Sequence, residues 1–351
     1  MNRIPFIYIL YSGQLYGTER MAINTAKGLC REHLSIILTP GGLILNEAAC
    51  YGITTKCFRN QRDLANYLKS YLAKYQKLVF VTTSVSQSIL ILLCNLFYRR
   101  QIVHLHIVHG GTEEHLSYGR KSLLNNLPVS SIAVSNYVRE RLEANGVRLQ
   151  KIKVIENFLL ESEIEKIQKR KPFQEAGIVR VIVVSRLDPV KRLDLIFDAL
   201  DFSSQLDGLE FRIFGFGSDM EKLKRKASES YPQVIIKGFS NEVFKAMANS
   251  DLLLHLCPVE PFGLAILEAM AVGLPVLVPD RGGAKALVQH GVSGFKFKAN
   301  NEKDLALCLL KLRHASPELL NYIVKNAQKT LKNKFSERQG IDAYLKLINS
   351  S

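Results

Sequence analysis

Two glutamates eight positions apart carry the most specific chemical signal in the chain. Glu260 precedes an expected helix and Glu268 lies inside it, within the segment PVEPFGLAILEAMAVG at 258–273. The helical rise then puts their carboxylates on the order of 10–12 Å apart. Acid and base carboxylates that flank one glycosidic bond lie roughly 5–9.5 Å apart. The spacing therefore favours two contacts along a longer ligand, such as a sugar attached to a nucleoside diphosphate.

The residues between the two glutamates are suited to bind phosphate through their backbone. Phe262, Gly263 and Leu264 are expected to open the helix. The first N–H groups of a helix have no partner inside it, and the positive end of the helix dipole lies at the same place. We therefore expect diphosphate contacts at this turn. The alternative is an ordinary amphipathic helix flanked by two acids, a spacing that often occurs by chance.

A pair of cations follows a strand in the second half of the chain. The segment RVIVVSRLDPVKRLDLIFDAL at 180–200 predicts a buried parallel strand, a turn and an amphipathic helix. Arg186 and Lys191 then lie at the carboxyl end of a strand, where ligands bind in open α/β sheets. Two cations at this place are suited to bind an anionic ligand. The alternative is a solvated basic loop, and Arg192 is expected to face water.

A third strand, turn and helix follow at 211–224, with Gly215 and Gly217 in the turn. Two glycines after a strand fit any Rossmann-like unit. The full dinucleotide fingerprint needs a third glycine, where Met220 stands. A nicotinamide cofactor is therefore disfavoured.

The two glutamates and the residues between them resemble the Glu-x7-Glu signature of family 4 of the retaining glycosyltransferases. That family has the GT-B architecture, an α/β fold of two Rossmann-like domains facing a central cleft. The resemblance implies that Glu260 contacts hydroxyls of a donor sugar and that Glu268 binds the ribose. It also implies that the backbone of Gly263 and Leu264, beside Phe262, binds the diphosphate.

The same resemblance extends to the cation pair and to two further turns. Arg186 and Lys191 match the Arg and Lys that clamp the donor diphosphate in that family. The turn with Gly215 and the stretch ending in Phe239 correspond to backbone near the donor nucleotide. At Ala286 the chain departs from the family, which usually has a glutamate after two glycines, and this weakens any inference about donor selectivity.

The first half of the chain contains two weaker signals. Gly17 resembles part of the family's glycine loop, which approaches the donor phosphates and the acceptor, although Tyr16 replaces one of its two glycines. The alternative is an ordinary turn capped by Thr18. The family often has a histidine just past a strand that contacts the donor sugar, which indicates His106 first and His109 second. A structural histidine is the alternative for both.

Histidine and cysteine patterns indicate no metal site and no disulfide. His104 and His106 alternate along one predicted strand, but no acid or cysteine completes a ligand set. The six cysteines are scattered without a CxxC pair. No secretory signal and no membrane span are predicted, so we expect reduced cysteines and a cytoplasmic location. We predict no cofactor and no required metal.

The length of 351 residues and the alternation of strands with helices predict two Rossmann-like domains. We place an acceptor-side domain at 1–165 and a domain for the nucleotide sugar at 175–335. A polar run at 161–171 is expected to link them. In the resembled family the last helix commonly crosses back to the first domain, which implies the same for 336–351.

The net charge of +15 is compatible with nucleic acid, an anionic donor or an anionic membrane. Nucleic acid is disfavoured because no recognised motif is present and the cations interleave with acids. The apolar run at 89–98, followed by Arg99 and Arg100, is interpreted first as a buried helix that ends in a basic turn. The alternative is peripheral docking at the inner face of the plasma membrane.

The resemblance implies a reaction. We expect a hexose to pass from a nucleotide-diphospho-sugar, UDP-linked by preference, to a glycan or lipid-linked acceptor with retention at the anomeric carbon. Synthesis of cell-surface polysaccharide is the expected context. The alternatives are a sugar-nucleotide epimerase or phosphorylase of the same architecture, and a GT-B-like binding subunit without catalysis.

Overall fold

Aliphatic runs such as Ile4–Ile9 and Arg180–Val184 form the central strands of two parallel sheets. The structure is a computed structural model that describes residues 3–111 and 114–350. The chain divides into two units. Unit 1 contains the residues up to Leu160 and those from Glu337 onward, and unit 2 is Glu161–Ser336. The predicted α/β class with two Rossmann-like halves is confirmed.

Unit 1 is built on a seven-stranded sheet whose described strand pairs are all parallel, in the order β3-β2-β1-β4-β5-β6-β7. Its strands are β1 Ile4–Ile9, β2 His33–Thr39, β3 Thr54–Cys57, β4 Lys77–Thr82, β5 Gln101–Val108, β6 Ser130–Ala133 and β7 Ile152–Val154. Its first helices are α1 Gly17–Leu29, α2 Ile44–Cys50, α3 Gln61–Lys74, α4 Val85–Tyr98, α5 Glu114–Ser117 and α6 Asn136–Ala144. The strand order reverses between β1 and β4, and ligands of open α/β sheets bind at such a point.

Unit 2 repeats this plan with six parallel strands in the order β10-β9-β8-β11-β12-β13. Its strands are β8 Arg180–Val184, β9 Glu210–Phe214, β10 Val234–Gly238, β11 Leu252–Leu254, β12 Val276–Pro279 and β13 Phe295–Phe297. Its helices are α7 Glu161–Lys166, α8 Asp194–Phe202, α9 Met220–Ser230, α10 Val243–Ala248, α11 Leu264–Val272, α12 Ala284–Leu287, α13 Glu302–Arg313 and α14 Pro317–Lys334. The order reverses between β8 and β11, which brings the turns after these two strands side by side.

The last helix, α15 Glu337–Asn349, packs against α1 within unit 1. Two glycines allow this close contact. A Cβ at Gly340 would lie 2.1 Å from Phe158 Cδ1, and one at Gly28 would lie 2.3 Å from Ile341 Cδ1. Helix α15 also buries Tyr344 and Ile348, so it completes the core of unit 1.

A buried ion cluster joins β8 to the start of β11 in unit 2. Asp251 accepts hydrogen bonds from Arg170 Nη2 at 2.8 Å and from Arg180 Nη2 at 3.0 Å, and also from the backbone N–H of Arg180 at 2.9 Å. Burial raises the pKa of Asp251, but the hydrogen bonds from the two arginines outweigh it and lower the pKa to about 2. The cluster fixes the register of the two central strands.

Helix α4 corrects the interpretation of the 89–98 run as a buried helix. Its inner face packs Ile91 and Cys94 into the core of unit 1. Its outer face is exposed, with Leu93 at 53%, Leu96 at 68% and Phe97 at 87%. The run is apolar all round, so its sequence does not show which face the core leaves uncovered. In the described part of the chain no helix is both long and apolar enough to cross a membrane.

Candidate functional site

The turns after β8 and β11 bring two distant segments of unit 2 into contact. The first turn contains Lys191 and the second contains Glu260, and Lys191 Nζ lies 2.6 Å from Glu260 Oε2. The contact lies at the carboxyl edge of the sheet, where the strand order reverses. The structure therefore brings together two of the residues that the sequence selected as catalytic.

Burial and charge act in opposite directions on this pair, whose side chains are only 14% and 15% exposed. For Lys191, burial lowers the pKa, but the charge and hydrogen bond of Glu260 together with the charge of Cys257 raise it overall. For Glu260, burial raises the pKa, but the charge and hydrogen bond of Lys191 together with His255 and Arg186 lower it overall. Both groups therefore remain charged at neutral pH.

Arg186 lies in the same turn, and its charge also acts on both members of the pair. Its Nη1 lies 2.7 Å from Asp188 Oδ2, and its side chain is 47% exposed. Asp188 also accepts a hydrogen bond from the backbone N–H of Ser218 at 3.3 Å, so it ties the turn after β8 to the turn after β9. Asp188 was not among the site residues predicted from the sequence.

Gly215 and Gly217 allow these two turns to touch. Gly215 has φ of +132°, and a Cβ there would lie 1.8 Å from the carbonyl oxygen of Ser185. A Cβ on Gly217 would lie 2.6 Å from Asp188 Oδ1. Donor binding at Gly215 stays a prediction, since the geometry shows close packing of the turns. Phe239, just past β10, is 66% exposed.

The start of α11 is formed as the sequence predicts. Gly263, with φ of +108°, is the N-cap, and Leu264 is the first residue of the helix. Glu268 is buried in α11 at 3% exposure. The ring of Phe262 is also buried and packs edge to face on Phe335, with centroids 5.8 Å apart. A donor contact at Phe262 is therefore limited to its backbone.

The turn with Gly282 and Gly283 holds the backbone of Glu260. These two glycines were not among the predicted site residues. The N–H of Gly283 donates to the carbonyl oxygen of Glu260 at 2.6 Å. A Cβ on Gly283 would lie 2.1 Å from the carbonyl oxygen of Pro261. A signal was available in the sequence, because two glycines after β12 mark a turn that approaches other backbone closely.

His255, at the end of β11, is a second missed residue. Its side chain is buried, and its Nε2 lies 3.5 Å from Glu260 Oε2, the oxygen that also contacts Lys191. Burial lowers the pKa of His255 to about 4, with the charge of Glu260 opposing the change. At neutral pH the imidazole is uncharged and packs beside the ion pair.

Replacing His255 with glutamine is expected to flatten the pH dependence of stability. An unfolded histidine has its ordinary pKa near 6.5, so the unfolded state binds the proton more tightly than the folded state, whose pKa is about 4. The stabilising effect is complete above the unfolded pKa and is lost as the pH falls from about 6.5 towards 4. The loss amounts to about 3 kcal/mol.

Melting temperatures of wild type, His255→Gln and the exposed control His314→Gln between pH 7 and 4.5 measure this effect. We expect the control to follow wild type and His255→Gln to lose less stability on acidification. Parallel profiles for all three proteins would contradict the assignment.

In unit 1 the structure places His109, and not His106, at a cavity. His106 is fully buried, with Nδ1 within hydrogen-bond distance of Thr82 Oγ1 at 3.2 Å and Ser88 Oγ at 3.1 Å. It therefore offers no surface to a sugar in this structure. His109 Nε2 lies 3.3 Å from the hydroxyl of Tyr8. Of the two histidines selected from the sequence, the second fits a ligand contact better.

The cavity beside His109 has a volume of about 170 Å³ and lies at the carboxyl edge of the unit 1 sheet. Its polar lining includes Ser12, Thr18, Glu19, Thr83, His109 and Lys121. Gly17 begins α1 next to it. The side chain of Glu19 accepts a hydrogen bond from the backbone N–H of Tyr16 at 3.1 Å. Glu19 therefore caps the N-terminus of α1 by accepting from the backbone of Tyr16. The alternative interpretation expected Thr18 in this role.

Within residues 3–111 and 114–350, no group of three or more histidine, cysteine, aspartate or glutamate side chains is arranged to hold a metal ion. The polar groups that converge at the unit 2 site are cations, backbone amides and Glu260. Such a set suits a ligand with a diphosphate and several hydroxyls.

Unit 2 is similar to a known protein family, and the chain is similar to several known proteins. Residues 164–330 match the family described as glycosyl transferases group 1. Poly(ribitol-phosphate) alpha-N-acetylglucosaminyltransferase of Staphylococcus aureus (strain COL) is 27% identical over 201 residues, covering 56% of this chain and 40% of that protein. Amylovoran biosynthesis glycosyltransferase AmsK of Erwinia amylovora is 27% identical over 240 residues, covering 65% and 56%. The chain thus spans about half the length of these two relatives.

Solved structures show the fold of the whole chain. Anabaena HepE, solved in complex with UDP and glucose, superposes with a TM-score of 0.81 at 22% identity over 99% of this chain and 100% of that one. The lipopolysaccharide outer core galactosyltransferase WaaB, in its apo form, superposes with a TM-score of 0.75 at 17% identity over 99% of both chains. The fold is that of GT-B glycosyltransferases, and within unit 2 the match to the group 1 family covers residues 164–330.

Proposed function

We propose that this protein is a retaining glycosyltransferase of family 4 that moves a hexose from a UDP-linked sugar to a glycan or lipid-linked acceptor. The observation that carries the proposal is the buried contact between Lys191 and Glu260 at the carboxyl edge of the unit 2 sheet. The group 1 domain and the names of the relatives support the reaction class. The solved complex of Anabaena HepE with UDP and glucose supports the choice of nucleotide. Relatives that build amylovoran or modify poly(ribitol-phosphate) suggest cell-surface polysaccharide as the context.

The Lys191 ammonium has three N–H donors, and the contact with Glu260 uses one of them. The remaining donors are available to phosphate oxygens of a donor bound next to Glu260. Arg186 and the N-terminal amides of α11 add positive charge around the same diphosphate. The reaction proposed here therefore needs no divalent metal, because these groups stabilise the leaving diphosphate.

In the proposed reaction the bond between the anomeric carbon and the diphosphate oxygen breaks. A bond from the anomeric carbon to the acceptor hydroxyl oxygen forms on the same face. The acceptor proton passes to an oxygen of the departing diphosphate, so no protein nucleophile takes part. Glu260 orients the sugar hydroxyls and stabilises positive charge on the ring, while Glu268 binds the ribose.

Donor binding tests the proposal directly. Thermal-shift and calorimetric titrations with UDP-, GDP- and ADP-sugars in EDTA are expected to show binding of a UDP-sugar. Glu268→Ala is expected to weaken that binding about 10- to 100-fold, because a charged hydrogen bond to ribose is lost. Glu229→Ala, on the exposed face of α9, is the matched control and is expected to bind as wild type does.

Several outcomes would contradict the proposal. Binding that disappears in EDTA and returns with Mg²⁺ would contradict metal independence. Interconversion of the donor without an acceptor would favour an epimerase. Absence of binding by every donor would favour a binding subunit without catalysis.

A further inference from the structure

The outer face of α4 is the largest concentration of exposed apolar side chains on one helix among the described residues. Ile89, Leu93, Leu96 and Phe97 are exposed by 37%, 53%, 68% and 87%. Leu93 follows Ile89 by four residues, and Leu96 and Phe97 follow Leu93 by three and four, which puts all four on one side of the helix. We refer to these four side chains as the α4 surface. Contiguous apolar surface of this kind marks an interaction site on a soluble protein.

A neighbouring segment extends the exposed apolar area. The 3-10 helix Gly119–Leu124 packs against α4 and exposes 63% of Leu123. Leu116, at the end of α5 next to it, is 42% exposed. Exposed apolar side chains are therefore present on the segment next to α4 as well as on α4 itself.

The chain segment that contains α4 carries charges of one sign. Residues 64–111 contain five cations, Lys69, Lys74, Lys77, Arg99 and Arg100, and no aspartate or glutamate. Arg99 is exposed at the C-terminal end of α4. Lys69 lies on α3, which packs against α4. Arg120 adds an exposed cation on the adjoining 3-10 helix.

We propose that the α4 surface and its surrounding cations dock unit 1 on an anionic lipid bilayer. The apolar side chains enter the boundary between headgroups and acyl chains, and the cations bind the phosphates of anionic headgroups. For its biological use this inference rests on the proposed transfer to a lipid-linked acceptor. Docking holds the protein at the surface where such an acceptor is embedded.

Charge favours a bilayer over a second copy of the chain as the occupant. A symmetric dimer through the α4 surface presents the same patch on both copies. Arg99 and Lys69 of each copy then approach the same cations of the other, with no acid in residues 64–111 to pair with them. Like charges placed opposite each other oppose association. An anionic bilayer neutralises the same cations.

Sedimentation with lipid vesicles tests the proposal. Wild type is expected to sediment with vesicles of phosphatidylcholine and phosphatidylglycerol at low salt, and much less with phosphatidylcholine alone. The double variant Leu93→Ser/Phe97→Ser is expected to bind the anionic vesicles about tenfold less tightly or worse, because two exposed apolar side chains no longer enter the bilayer. Arg99→Asn removes one cation at a left-handed position that asparagine tolerates, and is expected to weaken binding less.

Matched controls distinguish binding through the α4 surface from nonspecific binding to vesicles. Leu149→Ser/Phe202→Ser removes one leucine and one phenylalanine that are exposed by 52% and 44% elsewhere, and is expected to bind vesicles as wild type does. Circular dichroism confirms that each variant is folded. Sedimentation velocity without lipid reports whether the α4 surface instead joins two copies.

The outcomes are distinct. Equal vesicle binding by wild type and Leu93→Ser/Phe97→Ser, or no binding by wild type, would overturn the docking proposal. A wild-type dimer that becomes monomeric in the double variant would assign the surface to a second copy. Titrations with UDP-sugar separate the two proposals. If the double variant binds the donor but no longer docks on vesicles, the proposed reaction stands. If wild type docks on vesicles but binds no donor, the docking proposal stands.

Discussion

Replacing Lys191 with alanine is expected to lower turnover about 100- to 1,000-fold, the usual cost of removing a group that stabilises charge in a transition state. Lys191 is only 14% exposed and contacts Glu260 at 2.6 Å, so water cannot readily substitute for its charge. The measurement is the initial rate of sugar transfer with saturating donor. Lys191→Arg keeps the cation and is expected to retain more activity than alanine does.

Two controls make this result specific. Lys245→Ala removes an exposed lysine, also in unit 2 and also paired with a glutamate, and is expected to leave turnover unchanged. Glu260→Gln combined with Lys191→Ala tests whether the alanine effect arises only from a buried glutamate that has lost its cation. If Lys191→Ala retained turnover within about threefold of wild type, the proposed clamp would be wrong.

Replacing Asp251 with asparagine is expected to destabilise unit 2 by about 3–5 kcal/mol. The substitution removes the charge that Arg170 and Arg180 share, and the Arg170 side chain is only 10% exposed. Hydrogen exchange of peptides that cover β8 and β11 measures the change in opening free energy within unit 2. Asp194→Asn, which breaks an exposed pair with Arg192, is expected to cost less than about 1 kcal/mol.

The same aspartate predicts how unit 2 responds to acid. Its folded pKa is about 2, below the ordinary value of about 3.9 in an unfolded chain, so the unfolded state binds the proton more tightly. The contribution is complete above the unfolded pKa and is lost as the pH falls through the folded pKa, an effect of about 2–3 kcal/mol. In Asp251→Asn this part of the acid response should disappear. Wild type and variant with equal acid responses would contradict the depressed pKa.

Local patterns were sufficient to predict the central strands and the turns that follow them. A buried run such as Arg180–Val184 reads as a parallel strand, and the carboxyl ends of such strands meet at one edge of a sheet. Lys191 and Glu260 were therefore predictable as residues of one site. Their direct contact required the strand order, in which β8 and β11 are neighbours although two strands separate them in sequence.

Residues that depend on contacts between turns could not be predicted in the same way. His255 is the residue after an apolar strand, and only the fold shows that Glu260 returns beside it. The family resemblance indicates His106 before His109. The sequence pattern along β5 does not show that the His106 side chain lies in the core and that His109 lies at the cavity. The strands Thr54–Cys57 and Phe295–Phe297 are short and lie at the edges of their sheets, so the hydrophobic pattern of their sequences is weak.

The return of α15 to unit 1 has a consequence for the order in which the protein folds during synthesis. Unit 2 is one continuous segment, Glu161–Ser336, whereas unit 1 needs Tyr344 and Ile348 of α15 to close its core over α1. The ribosome makes all of unit 2 before it makes α15. Domains usually complete folding in the order of synthesis. Here the unit that starts first must wait for α15, so nascent unit 1 exposes apolar surface of α1 until α15 has been made.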